Sequence, residues 1–162
     1  MVVTPARFVW VARFALVMLV AIVITGAVVR LTGSGLGCVD WPQCNQERFV
    51  DVSSGHAAIE QVNRLFTGLV ALSVIIALGT SLLLKPRNRK LTGLSIGLVL
   101  GVGAQVVIGG IVVLTGLHPS SNMIHFLVSV VLVSLAKVLL NESRLNAGDE
   151  IEESVPAVAS FW

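Results

Sequence analysis

The sequence predicts an all-α membrane protein: a four-helix transmembrane bundle made of two repeated helical hairpins, with both termini cytoplasmic. Three observations predict it: the composition, four long apolar runs, and the placing of the basic residues. Hydrophobic residues make up 55% of the 162 and charged residues 12%, and the mean hydropathy is +0.91. A soluble domain carries about 25% charged residues, so the solvent of this chain is lipid. A formal net charge of +2 is too small to argue for a nucleic-acid partner.

A span needs about 20 apolar residues to cross about 30 Å of hydrocarbon. In lipid, a helix satisfies its own backbone groups. The four runs predict spans over about residues 8–31, 57–84, 91–114 and 121–140, within one domain over 1–140. Arg7 and Arg13 before the first run also suit a secretory leader, but the run is long for one and lacks a small-x-small cleavage site. The second run has a polar lead-in from His56. The third carries Gly93, Gly97 and Gly101, whose spacing puts them on one face and lets another helix approach closely. The fourth contains His125 one turn in from its start. Residues 141–162 hold Glu142, Asp149, Glu150, Glu152 and Glu153 against Arg144 alone. That composition predicts a disordered or linker tail on the cytoplasmic side.

The basic residues set the orientation. Lys85, Arg87, Arg89 and Lys90 lie between the second and third runs, Arg7 and Arg13 flank the first, and Lys137 and Arg144 flank the end of the fourth. Basic residues near helix ends mark the cytoplasmic face. The segment from about 32 to 55 is then the outer loop of a bacterial cell membrane. It carries both cysteines, Cys38 and Cys44, on a side where disulfides persist. Such a bridge is either a staple for the loop or redox-active.

The chain repeats itself. Gly26 to Gly33 closes the first span and Gly109 to Gly116 closes the third, with identical residues at five of eight positions. Each segment ends an upward helix and leads into a downward one. The two hairpins are therefore related by an axis along the membrane normal, and sites often form at such a repeat interface.

Chemistry-bearing side chains gather near the starts of the second and fourth spans. At about 100° per residue, His56, Glu60 and Asn63 share one face, and Arg64 can pair with Glu60 one turn away. His125 is the only histidine inside an apolar run, and ionisable groups within the membrane are functional by default. The repeat sets Asn63 opposite His125. Two imidazoles there would make a bis-histidine heme site between the hairpins. This chain offers one imidazole and one amide, so such a site is five-coordinate or recruits His56. His118, before Pro119, is a turn residue.

The run from Arg30 through Gly33, Gly35, Gly37, Cys38, Asp40, Trp41 and Pro42 to Cys44 closely resembles the first outer loop of heme A synthases. Glu60, Asn63 and Arg64 are similar to that family's Glu-x-x-His-Arg motif, with asparagine at the histidine position. Gly109 to Gly116 and His125 resemble its third and fourth helices. The resemblance covers about residues 8 to 140.

It implies the N-terminal half of an eight-helix, two-half enzyme that oxidises a methyl of heme O to the formyl of heme A for cytochrome oxidase. The N-terminal half would hold heme O, and the other half a heme b. By the same resemblance Glu60 is the catalytic carboxylate and His125 an axial ligand of the heme iron. Cys38 and Cys44 form a disulfide near the heme, and Arg30 and Arg64 suit the propionates. The implied partners are heme O, a second copy or a separate C-terminal-half chain, heme O synthase and cytochrome oxidase assembly proteins. The tail ends where a linker to the other half would begin, which favours a fragment inactive alone over an active homodimer. A non-catalytic heme-binding or assembly subunit is the alternative. A membrane disulfide oxidoreductase would need a second cysteine pair or a Cys-x-x-Cys, which this sequence lacks.

Overall fold

Four helices account for about three quarters of the backbone in the computed structural model, which describes residues 2–148. They are α1 (Pro5–Leu31), α2 (Gly55–Leu82), α3 (Arg89–Leu114) and α4 (Pro119–Ala147). Each is long and apolar enough to cross a membrane, so the protein is a multi-pass membrane protein. Local chemistry sets the helix starts. Pro5 and Pro119 open α1 and α4, where a missing N–H costs nothing. Ser54 accepts the Ala57 N–H at the start of α2, and Asn88 accepts those of Lys90 and Leu91 at the start of α3.

The repeat is visible in the helix ends. Gly33 and Gly116 both adopt the left-handed conformation, with φ 67° and 62°. Behind Gly33, the Ser34 N–H donates to Val29 O and the Gly33 N–H to Arg30 O. Behind Gly116, the Leu117 N–H donates to Val112 O and the Gly116 N–H to Val113 O. This is one Schellman cap made twice.

The fourth helix departs from the sequence-based boundary. It continues through 141–147 instead of dissolving into a tail, and it ends at Gly148 with φ 78°. The reason is electrostatic. Glu142 takes a 2.6 Å ion pair from Lys90, and Asn146 accepts from Asn88. Glu142 and Asn146 thus find partners at the start of α3. The rest of the predicted tail, 149–162, lies outside the described residues. The second helix also begins earlier and stops sooner than expected, and Leu83 O accepts the Val3 N–H, tying the N-terminus to its end.

The helices form a ring. α1 packs against α2 and α4, and α3 packs against the same two, whereas the diagonal pairs do not touch. Gly101 makes room for Leu132 in the α3–α4 seam, where a Cβ would fall 2.3 Å from the Leu132 side chain. Gly97 meets Leu135 in the same seam, and Gly93 faces open space.

The core fills only one half of this ring. Phe8, Ala12, Ala15 and Leu19 are buried against Val70, Val74 and Ala77, Leu91, Leu98 and Val102, and Leu132, Ala136 and Leu139. All of these lie toward the termini. Toward the cysteine loop, no residue is buried between Leu19 and Val29, between Gln61 and Val70, between Val102 and Gly110, or from Pro119 to Val131. Protein interiors normally pack as densely as organic crystals, so this half of the bundle is under-filled.

Candidate functional site

The long connection between α1 and α2 folds over the under-filled end. Cys38 and Cys44 are disulfide-bonded and both are fully buried. Their loop is fastened to α2 by one ion pair. Glu60, 4% exposed, accepts Arg64 Nε at 3.1 Å and an Arg64 terminal nitrogen at 2.7 Å on Oε1. Its Oε2 accepts the Cys38 N–H at 2.9 Å. The rest of the Arg64 guanidinium donates to Asp40 O and Gln43 O. All five guanidinium N–H groups are thereby used. Arg64 holds the loop, and the propionate contact expected of it has no free donor.

Three further contacts complete the lid. His56 Nδ1 meets Ser34 Oγ at 2.9 Å, which draws this exposed histidine toward the loop and not to the Asn63 face. Gly37 lies so close to α2 that a Cβ would fall 2.4 Å from His56 O. Trp41 crosses to α3 and lies on Gly110, where a Cβ would come within 2.8 Å of the ring. At the loop's far side Asp51 accepts from the Ser53 N–H at 2.9 Å. That bond, then the Ser53 hydroxyl, Arg48 and Asn45 hold its carboxyl below the usual carboxylate value.

Beneath this lid lie the polar groups of the under-filled half. Asn63 Oδ1 accepts the Thr25 hydroxyl at 2.9 Å, across the α1–α2 seam. His125 sits half-buried on α4, its ring against α3, with Cε1 3.5 Å from where a Gly109 Cβ would stand. Gln105 of α3 donates to His125 O at 2.9 Å, and Ser129 donates to the same oxygen. His125 Nδ1 is buried without a hydrogen-bond partner, and so is Gln105 Oε1. Arg30 is exposed at the end of α1 and makes no side-chain hydrogen bond among the described residues.

The predicted residues therefore separate into two groups. Glu60, Arg64, His56 and the cysteines build the lid, while Asn63 lies on the α1–α2 seam and His125 against α3. Asn63 and His125 thus stand on opposite hairpins, on the diagonal helices α2 and α4. Sequence reasoning missed Gln105 and Thr25. Gln105 was findable, because it is the lone amide in the apolar run of α3.

The family described as cytochrome oxidase assembly protein matches residues 8–58 and 48–160. The chain is 33% identical to the heme A synthase of Lysinibacillus sphaericus (strain C3-41) over 132 residues, 81% of this chain and 42% of that protein. It is also 33% identical to the heme A synthases of Bacillus mycoides (strain KBAB4) and Bacillus cereus (strain AH187), each over 136 residues, 83% of this chain and 43% of theirs. The chain thus spans less than half the length of these relatives. No solved structure matches it. The chain belongs to the cytochrome oxidase assembly protein family, with heme A synthases among its relatives.

Proposed function

We propose that this chain is the heme O-binding half of a heme A synthase, holding its substrate in the under-filled half of the bundle on His125. The observation that carries the proposal is the state of that imidazole. It stands in an apolar span, turned to a neighbouring helix, with Nδ1 buried and unbonded and Nε2 making no hydrogen bond. Its neighbours suit a heme as well. Gly109 gives the ring a smooth wall, and the diagonal helices α2 and α4 make no close backbone approach. Asn63 is a poor ligand for iron, so the protein supplies a single imidazole.

Bound heme O brings the ring methyl that is oxidised to a formyl group. The chain's own contribution is electrostatic and steric. Glu60 is one turn from Asn63 at the rim of the space. With both oxygens engaged by Arg64 and the Cys38 N–H, it is held in one orientation as half of an ion pair, a preorganised dipole beside the ring. Arg30, with its guanidinium uncommitted, suits a propionate. The disulfide loop and Trp41 close the site against water. The basic α2–α3 connection supports a cytoplasmic position for that connection and, with it, a cysteine loop on the outer face of a bacterial cell membrane.

The match spans less than half of each relative, so the activity belongs to this half joined to a partner, either a second copy or a separate chain carrying the other half. A non-catalytic heme-binding subunit is the second reading, favoured by the missing second imidazole at Asn63. A disulfide oxidoreductase is disfavoured, because both cysteines are fully buried and the sequence holds no further cysteine to relay electrons. Membranes containing the chain, supplied with heme O and analysed for heme A, test the proposal. Formation of heme A that disappears with Glu60→Ala supports the enzyme. Heme bound through His125 with no heme A made in any pairing supports the second reading.

A further inference from the structure

Gln105 has no counterpart in the first hairpin: the repeat register that matches Gly109 with Gly26 pairs Gln105 with Ile22. The amide therefore stands only on the histidine's side of the bundle. Its orientation is fixed, because His125 O can only accept, so Nε2 must face it. Oε1 then points away, buried and unbonded. On the facing helix His125 Nδ1 is also buried and unbonded, as is Asn122 Nδ2 one turn before it. The ring lies on α3 one turn beyond Gln105, with Cε1 3.5 Å from where a Gly109 Cβ would be. Native interiors satisfy such paired orphans with an ordered water. A protonated Nδ1 and an amide oxygen are complementary across one.

We propose that Gln105 is a positioning residue that sets the tautomer of His125, its Oε1 accepting from Nδ1–H through one water molecule and leaving the Nε2 lone pair directed into the open half of the bundle. This rests on His125 as the heme ligand, and it adds what readies that ligand. In metal sites a hydrogen bond on the second ring nitrogen fixes tautomer and ring orientation. Here a neutral amide plays that part, in a span where a carboxylate would be costly.

Nitrogen-15 spectra of the heme-free chain, with labelled histidine and at a pH where the ring is neutral, read the tautomer directly. The His125 signal is identified by its loss in His125→Ala. The Nδ1–H form should outweigh the Nε2–H form by about tenfold, the ratio that one neutral hydrogen bond supplies. The preference should vanish in Gln105→Met and persist in Gln105→Glu, which keeps an oxygen at that place. A wild-type signal in the Nε2–H form overturns the proposal without any variant, as does a Gln105→Met signal identical to the wild type. Heme titration of the same wild-type sample is read separately. Failure to bind heme with the tautomer as stated removes the ligand assignment and leaves the role of Gln105 standing.

Discussion

Single residues at the loop–helix junction carry the largest expected effects. Arg64→Ala leaves Glu60 buried without its counter-charge and frees the carbonyls of Asp40 and Gln43. Breaking a buried pair from one side costs about 3 kcal/mol, so the variant should melt earlier in detergent and its disulfide should be reduced faster. Gly37→Ala would press a methyl into the α2 backbone, and overpacking of this kind costs about 1–3 kcal/mol, measurable in the same melts. Asp51 adds a pH dependence of defined sign. Its carboxyl is held below the usual value, first by the Ser53 N–H, so its stabilisation is complete above the unfolded value and lost as pH falls through the lowered one. A carbon-13 titration of Asp51 should show that midpoint below 3.8. The Glu60–Arg64 pair was legible in the sequence, because residues four apart on a helix are neighbours. Its grip on the loop was not, since Cys38 and Asp40 lie more than twenty residues from their partners and no local pattern encodes such a meeting.

Among the elements, the spans were the most legible feature, because an apolar run of sufficient length has one solution in lipid. The matched glycines were legible too, and the structure gives them a reason: each sits at the left-handed position of the same cap. A side chain there costs roughly 1–2 kcal/mol, so Gly33→Ala and Gly116→Ala should lower stability by similar amounts in chemical unfolding. Unequal losses would show that the two hairpin ends are not equivalent. The end of α4 escaped the sequence. Composition alone marks 141–147 as polar tail, yet Lys90 and Asn88 supply the partners that let the helix continue. The Lys90–Glu142 pair is exposed at its lysine end, and Lys90→Ala should cost no more than about 1 kcal/mol.

At the scale of the whole molecule, the division of the bundle into a packed half and an under-filled half ties sequence to function. The packed half needs only apolar residues at helical spacing. The other half keeps Thr25, Asn63, Gln105 and His125 on four different helices, paired as Thr25 with Asn63 and Gln105 with His125. That arrangement is a tertiary fact, which hydropathy cannot supply. Motif resemblance reached His125 and Glu60 without it, while Gln105 and Thr25 belong to no motif and emerged only from contacts between helices. The most direct test of the central claim is the absorption and electron paramagnetic resonance spectrum of the heme-loaded chain. One imidazole facing an amide predicts a five-coordinate, high-spin iron in the wild type, a six-coordinate, low-spin iron in Asn63→His, and no bound heme in His125→Ala. A low-spin wild-type spectrum that survives in His125→Ala would contradict it.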